Sequence, residues 1–380
     1  MKILFIEWGC LGKEDVEEAL KAEGHDLVYF PIGRGGGDPE TEGMLVSALN
    51  REAPDVVFSI DYFPEVSNVC RGKAIRYISW IFRMPCVKLY SQTVLNPCNT
   101  ICVFDKELCM EFRNAGIHTV YYLPLAANVE RLDTIVAGQG AQAPLFDVSF
   151  IGGLYLEENS RFEQMFAALP DFAKGYLDAV IGAQLKIQGY NFVEDVLGPV
   201  IQDLYQAFPL DPDPMGMESR EYLYAQQVIN CRATTLERLD LLNAVAQKYR
   251  VDLFTDREGF ELPNICVHGK VGHFSGLPLV VKQSKVNLNL SRRGLKSGIP
   301  LHVFDIMGSG GFLLTNFQAE LLDFFVPGED FVYFEDKEDL VQKAGYFLSH
   351  EQERQAIARS GYEKVAAGHT YRHRIREIFA

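Results

Sequence analysis

KVNLNLSRRGLKSGIPLHVFDIMGSGGFLLTN, residues 285–316, is the stretch on which the reading of this chain turns. An apolar strand run, KVNLNL, gives way to a loop dense in glycine and positive charge. A short helical stretch, HVFDIMG (302–308), follows, and then a second apolar run, GFLLTN (311–316). Residues 291–316 hold five glycines, four basic side chains and one carboxylate. That density beside buried-looking runs fits either a binding site for something anionic or an awkward loop between elements.

Outward from this stretch the same grammar repeats. In the first part of the chain, KILFIEW (2–8), DLVYFPI (26–32), DVVFSID (55–61), AIRYISWIF (74–82), TICVFD (100–105) and VYYLPLA (120–126) read as strands. Continuous apolar runs of this length, spaced by helical segments, are what a parallel sheet covered on both faces requires. EDVEEALKAEG, closed by Gly24, supplies the first crossover helix. Gly138 and Gly140 mark a flexible connection, after which FDVSFIGG (146–153) starts a second series. A long helical region from 159 to about 250, broken by PLDPDPMG, is an insertion; RVDLFT (250–255), NICVHG (264–269) and FVYF (331–334) complete the strands. The expectation is an α/β chain of two Rossmann-like, doubly wound domains facing a cleft. The first covers 1–137 and the second 138–355, with a helical insertion, and a helical tail over 356–380 packs back on the first. In such sheets ligands bind at the C-terminal ends of the strands, so functional residues are expected there.

Bulk properties narrow the function. A length of 380 residues favours two domains over one. The net charge of −15 argues against a general nucleic-acid binder, which needs a basic surface. No run of apolar residues is long enough for a membrane span, and MKILFIEWGC followed by acidic residues does not read as a signal peptide; a cytoplasmic protein is expected. Eight cysteines are present without a Cys-x-x-Cys pair. Cys98, Cys102 and Cys109 read as buried thiols, not a zinc site, and no metal is expected. A dinucleotide dehydrogenase is disfavoured, because no strand run leads into Gly-x-Gly-x-x-Gly.

The block SGIPLHVFDIMGSGGFLLTN, with FFVPGEDFVYFED and HTYRHRIREIF, resembles the C-terminal domain of the glycosyltransferases grouped with the spore-maturation protein CgeB. DVVFSIDYFP, YISWIF and YYLPLAAN resemble the N-terminal domain that accompanies it. The resemblance implies a GT-B fold, with a nucleotide-sugar donor held mainly by the second domain and a protein, glycan or small-molecule acceptor by the first. It implies no cofactor or metal, because cations and backbone N–H groups meet the diphosphate charge. Ser291, Arg292, Arg293, Lys296, Ser297 and Gly298 would then line the phosphate site, with Gly294 admitting close approach. Asp305 stands where relatives carry a carboxylate, at the start of a helix, that binds the ribose. Ser297 replaces a glutamate of the wider retaining group, and His302 replaces a basic residue.

Other candidates come from strand ends. Gly152 and Gly153, with Asn159 and Arg161 close behind, could admit a phosphate or sugar; Thr255 and Asp256 are placed for the nucleotide base. On the acceptor side stand Trp8, Gly9, Gly12, Asp61, Tyr62 and Phe63, an acid among aromatic rings that suits a sugar. The relatives' aspartate-proline motif after YISW is here Arg83, Met84 and Pro85, and arginine cannot act as a base at neutral pH. Three alternatives stay open: Asp61 or Asp105 is catalytic, the donor's own phosphate acts as base, or activity is lost. His118, His268 and His273 are candidate bases or hydrogen-bonded structural residues. The leading expectation is a glycosyltransferase. The rivals are a non-catalytic binding module on the same fold and a nucleotide-sugar epimerase or hydrolase.

Overall fold

The runs rich in β-branched and aromatic residues form two six-stranded sheets in the computed structural model, which describes residues 1–33, 39–138, 143–256 and 261–380. Gly140 lies outside the described residues. By compactness the chain divides into two units, one of Met1–Leu125, Asp211–Arg220 and Tyr371–Ala380, the other of Ala126–Leu210 and Glu221–Thr370.

In the first unit, β1 (Lys2–Glu7), β2 (Asp26–Pro31), β3 (Val56–Ile60), β4 (Arg76–Trp80), β5 (Asn99–Val103) and β6 (Val120–Tyr122) are arranged 2-1-3-4-5-6. Every pairing is parallel. All five residues of β3 are buried, as a strand covered on both faces demands. The helix Lys13–Ala22 follows Gly12, whose φ of 77° is left-handed. Glu14 and Asp15 in its first turn and Lys21 in its last complement the helix dipole, and Val16, Ala19 and Leu20 bury one face.

Two segments distant in sequence join this unit. Gln92 N donates to Met215 O at 2.9 Å and Met217 N to Tyr90 O at 2.7 Å, which stitches the 211–220 loop to the edge of the unit. The helix Tyr371–Phe379 rests its Tyr371 ring against Trp80 and Phe82, at 5.8 and 6.2 Å between centroids. Arg372 and Arg376 both bond Glu23, at 3.0 and 2.8 Å.

In the second unit, β7 (Phe146–Ile151), β8 (Val251–Phe254), β9 (Ile265–His268), β10 (Ser284–Asn289), β11 (Leu313–Asn316) and β12 (Val332–Phe334) lie in the order 12-11-10-7-8-9. All pairings are again parallel. This is the doubly wound order, with its reversal between β7 and β10. The insertion between β7 and β8 is helical and has its own core, including Phe162, Met165, Leu177, Leu204 and Tyr224. It ends in a π-helical turn, Ala225–Ile229, that runs into the helix Asn230–Ala246.

The compact units cut the chain differently from the boundaries expected at 137 and 355. The helix Val129–Ala137 groups with the second unit, because Ala127 and Leu132 pack on the helix Leu301–Gly308 at Gly308 and Ala127 N donates to His369 O at 3.0 Å. The helix Glu351–Gly368 groups there too, with Gly361 against the Asp330 carbonyl. No helix among the described residues is long and apolar enough to cross a membrane.

Candidate functional site

The reversal between β7 and β10 opens a crevice at the C-terminal ends of the second sheet, and the residues after those two strands fill it. After β7 come Gly152 and Gly153; after β10 comes the loop Ser291–Pro300, which enters the helix Leu301–Gly308. A side chain at Gly153 would start 3.7 Å from Asp256 Oδ1, so the end of β8 lies beside the end of β7. Thr255 is buried, and its hydroxyl donates to Asp256 Oδ1 at 3.3 Å. Asp256 itself is exposed.

The start of the basic loop is fixed by amides. Ser291 N donates to Asn316 Oδ1 at 2.8 Å, and Asn289 Nδ2 donates to Ser291 Oγ at 3.2 Å and Thr315 Oγ1 at 3.0 Å. Its three cations have different fates. Arg293 is 8% exposed and forms a fork on Glu237, Nε to Oε2 at 2.8 Å and Nη2 to Oε1 at 2.6 Å. This buried ion pair ties the loop to the helix Asn230–Ala246, while Arg293 also lines the pocket beside the loop. Arg292 places its guanidinium 5.2 Å from the Tyr155 ring centre and donates to Gln226 O at 2.6 Å. Lys296 is partly exposed and lines, with Arg292, Gln188, Asn191 and Phe317, a pocket beside the loop.

Gly294 is needed for close approach, since a Cβ there would fall 2.2 Å from Gln226 Oε1. Gln226 belongs to the π-helical turn, a helix defect that occurs frequently at functional sites. Gln226 Oε1 and Asn230 Nδ2, next to Gly294, are buried and lack a hydrogen-bond partner among the described residues. Ser297 donates to Glu320 Oε1 at 2.6 Å, and Glu320 is buried. Where the resemblance leads one to expect a glutamate, the chain thus has a serine bonded to a carboxylate from beyond β11. Gly298 is buried in the approach to the helix.

Asp305 is buried, with Oδ2 2.9 Å from His273 Nε2. It sits in the second turn of the helix Leu301–Gly308, not at its start. Burial pushes the His302 imidazole below its usual pKa, against the pull of Asp305. Arg161 is an exposed residue of the helix Leu156–Ala168. Asn159 Oδ1 instead accepts from Arg232 Nη1 at 2.6 Å.

Arg238 is the residue that sequence reading missed. It is buried, donates through Nη1 to Gly153 O and through Nη2 to Leu290 O at 2.5 Å, and so joins the chain ends after β7 and β10. Burial lowers its pKa. The available signal was a cation and an acid, Glu237 and Arg238, set among apolar residues in RATTLERLDLL.

In the first unit the sheet order reverses between β1 and β3, which puts Trp8, Gly9 and Asp61 at a second crevice. Gly9 has a left-handed φ of 71°. Asp61 is buried and has a left-handed φ of 60°, and its Oδ1 accepts from Phe82 N at 2.9 Å and Arg83 N at 3.3 Å. Its Oδ2 takes Arg83 Nε at 2.8 Å. A carboxylate that accepts from two amides and an arginine clamps the chain after β4 to the end of β3. Asp105 caps the helix Lys106–Asn114 by accepting from Leu108 N at 3.1 Å, a local structural duty.

Tyr62 and Phe63 do not offer their rings to an acceptor, because both are buried in the core of the unit. Tyr62 bonds Thr93 Oγ1 at 2.8 Å, and burial pushes its hydroxyl up to about 12. Trp8 is 7% exposed and donates to Ile60 O at 2.7 Å. His268 pairs with the buried Asp252 at 2.8 Å, and its carbonyl accepts from Thr255 N at 3.4 Å. Cys102 and Cys109 are buried, and no group of three His, Cys, Asp or Glu side chains able to hold a metal occurs among the described residues.

Two parallel six-stranded sheets with helices on both faces are the architecture of the GT-B glycosyltransferases. A glycosyltransferase from Rickettsia africae aligns over 100% of this chain and 96% of its own at 9% identity, with a TM-score of 0.56. Sucrose-phosphate synthase from Thermosynechococcus elongatus aligns over 100% and 98% at 10% identity, with a TM-score of 0.55. HepE from Anabaena, in complex with UDP and glucose, aligns over 100% and 98% at 9% identity, with a TM-score of 0.52. Residues 234–380, which contain the basic loop and Asp305, match a family described as glycosyl transferase-like. Comparison with curated proteins gives no match.

Proposed function

We propose that the protein is a glycosyltransferase that moves a sugar from a nucleotide-diphosphate sugar to an acceptor, with the donor held by the second unit. The observation that carries this reading is the meeting of Gly153, Asp256 and the start of the basic loop at the reversal point of a doubly wound sheet, with Asp256, the loop and Asp305 inside the segment that matches the glycosyl transferase-like family. The binding of UDP and glucose by the Anabaena protein of the same fold supports a nucleoside diphosphate as the ligand class. The CgeB-like resemblance of SGIPLHVFDIMGSGGFLLTN belongs with this reading.

Arg292 and Lys296, with the backbone N–H groups that lead into the helix Leu301–Gly308, meet the diphosphate charge, so no metal ion is required. Asp305, oriented by His273, accepts from the ribose hydroxyls. Thr255 and Asp256 lie at the base. Arg293 and Arg238 shape the site without touching the ligand. The engagement of Asp61 and Asp105 favours transfer in which the donor's own phosphate accepts the acceptor proton. The same engagement is what a non-catalytic binding module on this fold would show, and an assay for release of the nucleoside diphosphate separates the two.

Thermal denaturation of the intact chain with UDP, GDP, ADP and CDP tests the donor site. One of them is expected to raise the melting temperature in a saturable way, since a ligand that binds only the folded state stabilises it. A flat response to all four refutes the reading.

A further inference from the structure

We propose that Arg83 is an anion-binding arm for the acceptor, so that the transferred sugar goes to a molecule carrying a carboxylate or phosphate group. This rests on the glycosyltransferase reading above. The arm stands at the reversal point of the first sheet, the place where a doubly wound domain takes its ligand. Its guanidinium carbon lies 4.3 Å from the Trp8 ring centre, and its Nε is held by Asp61 Oδ2 at 2.8 Å. The Arg83 side chain is nevertheless 59% exposed, and its two terminal amino groups have no partner among the described residues. A guanidinium fixed on one edge and open on the other is a planar fork matched to two anionic oxygens.

The support beneath the arm is built at a cost. Asp61 keeps a left-handed backbone that a non-glycine residue adopts only when its surroundings impose it, and its carboxylate is buried. An exposed arginine used only as a surface ion pair contributes little to stability and needs no such scaffold. A second cation shares the platform. Lys88 Nζ lies 4.6 Å from the Phe63 ring centre, and Phe63 meets Trp8 edge to face at 6.0 Å. An uncharged sugar needs neither cation.

The test uses a reporter that the chain supplies. Of its two tryptophans, Trp80 is fully buried and Trp8 lies under the arm, so an anion arriving at Arg83 alters the fluorescence of Trp8. The intact protein is titrated with glucose, glucuronate and glucose 6-phosphate, and stabilisation by UDP, GDP, ADP and CDP is measured on the same preparations of wild type, R83Q and R83K. The expected result is a saturable change with glucuronate or glucose 6-phosphate, none with glucose, and an affinity about tenfold weaker in R83Q, the loss of one charge-assisted contact. R83K keeps the charge and is expected to fall between. The two anions distinguish a carboxylate from a phosphate acceptor. No response to either anion, an equal response to glucose, or a response that R83Q retains overturns the proposal. Stabilisation by any of the four nucleotides together with any of those outcomes leaves the donor reading standing, and a flat response to all four in all three proteins refutes that reading instead.

Discussion

Replacing Arg293 by alanine should cost fold stability far more than it costs nucleotide affinity. Arg293 and Glu237 are each 8% exposed, and their two contacts, at 2.6 and 2.8 Å, use both carboxylate oxygens. Removing the arginine leaves a buried, uncompensated carboxylate, a change that costs about 3–5 kcal/mol. For a unit of this size that is a fall in melting temperature on the order of 10 °C. The carbonyls of Ile187 and Leu185, which also accept from Arg293, lose their donors, so the helical insertion and the basic loop loosen together. E237A should do comparable damage by stranding the cation, whereas R293M/E237M, an apolar pair of similar bulk, should recover most of the loss. Differential scanning calorimetry of the single and double variants gives the cycle, and calorimetric titration with the nucleotide that stabilises wild type gives the affinity. An R293A protein that melts like wild type but binds the nucleotide about tenfold more weakly would refute the reasoning and return Arg293 to the phosphate.

Two further outcomes are expected. G294A drives a Cβ into Gln226 Oε1, 2.2 Å away, and should cost about 1–3 kcal/mol by overpacking, read as a lowered urea midpoint. Burial alone would raise the pKa of Asp330, but hydrogen bonds from Lys364, from Ser360 Oγ at 2.6 Å and from Val326 N at 2.7 Å outweigh it and hold the carboxyl below its usual value. A lowered folded-state pKa stabilises above the ordinary carboxylate pKa, and that contribution fades as pH falls through the lowered value. The stability deficit of D330N against wild type should therefore be constant near neutral pH and shrink below about pH 4; a deficit that grows on acidification would contradict the assignment.

The strands were legible because both faces of each sheet are covered, so VVFSI of β3 and LLTN of β11, every residue buried, read as near-continuous runs. The loop between β10 and the helix Leu301–Gly308 was legible by its charge and glycine. Which of its cations faces a ligand was not, because the partner that claims Arg293 lies 56 residues earlier in another helix. Arg238 was hidden the same way: in RATTLERLDLL it reads as the solvent side of an amphipathic helix, and only the folded sheet brings Gly153 O and Leu290 O to it. Tyr62 and Phe63 were assigned to the acceptor by their place after a strand. Asp61 takes a left-handed conformation there with no glycine to announce it, and both rings are buried in the core. The unit boundaries escaped composition because Ala127, Leu132 and the helix Glu351–Gly368 are sorted by what they pack against, not by any change in the sequence.

The central claim is that the second unit binds a nucleoside diphosphate through the loop after β10. Calorimetric titration of wild type and R292A with UDP, GDP, ADP and CDP tests it most directly. The account predicts saturable binding of at least one nucleotide by wild type and a loss of about tenfold or more in R292A, measured where that variant is still fully folded. Absence of binding to all four, or an R292A protein that binds as wild type does, would contradict it.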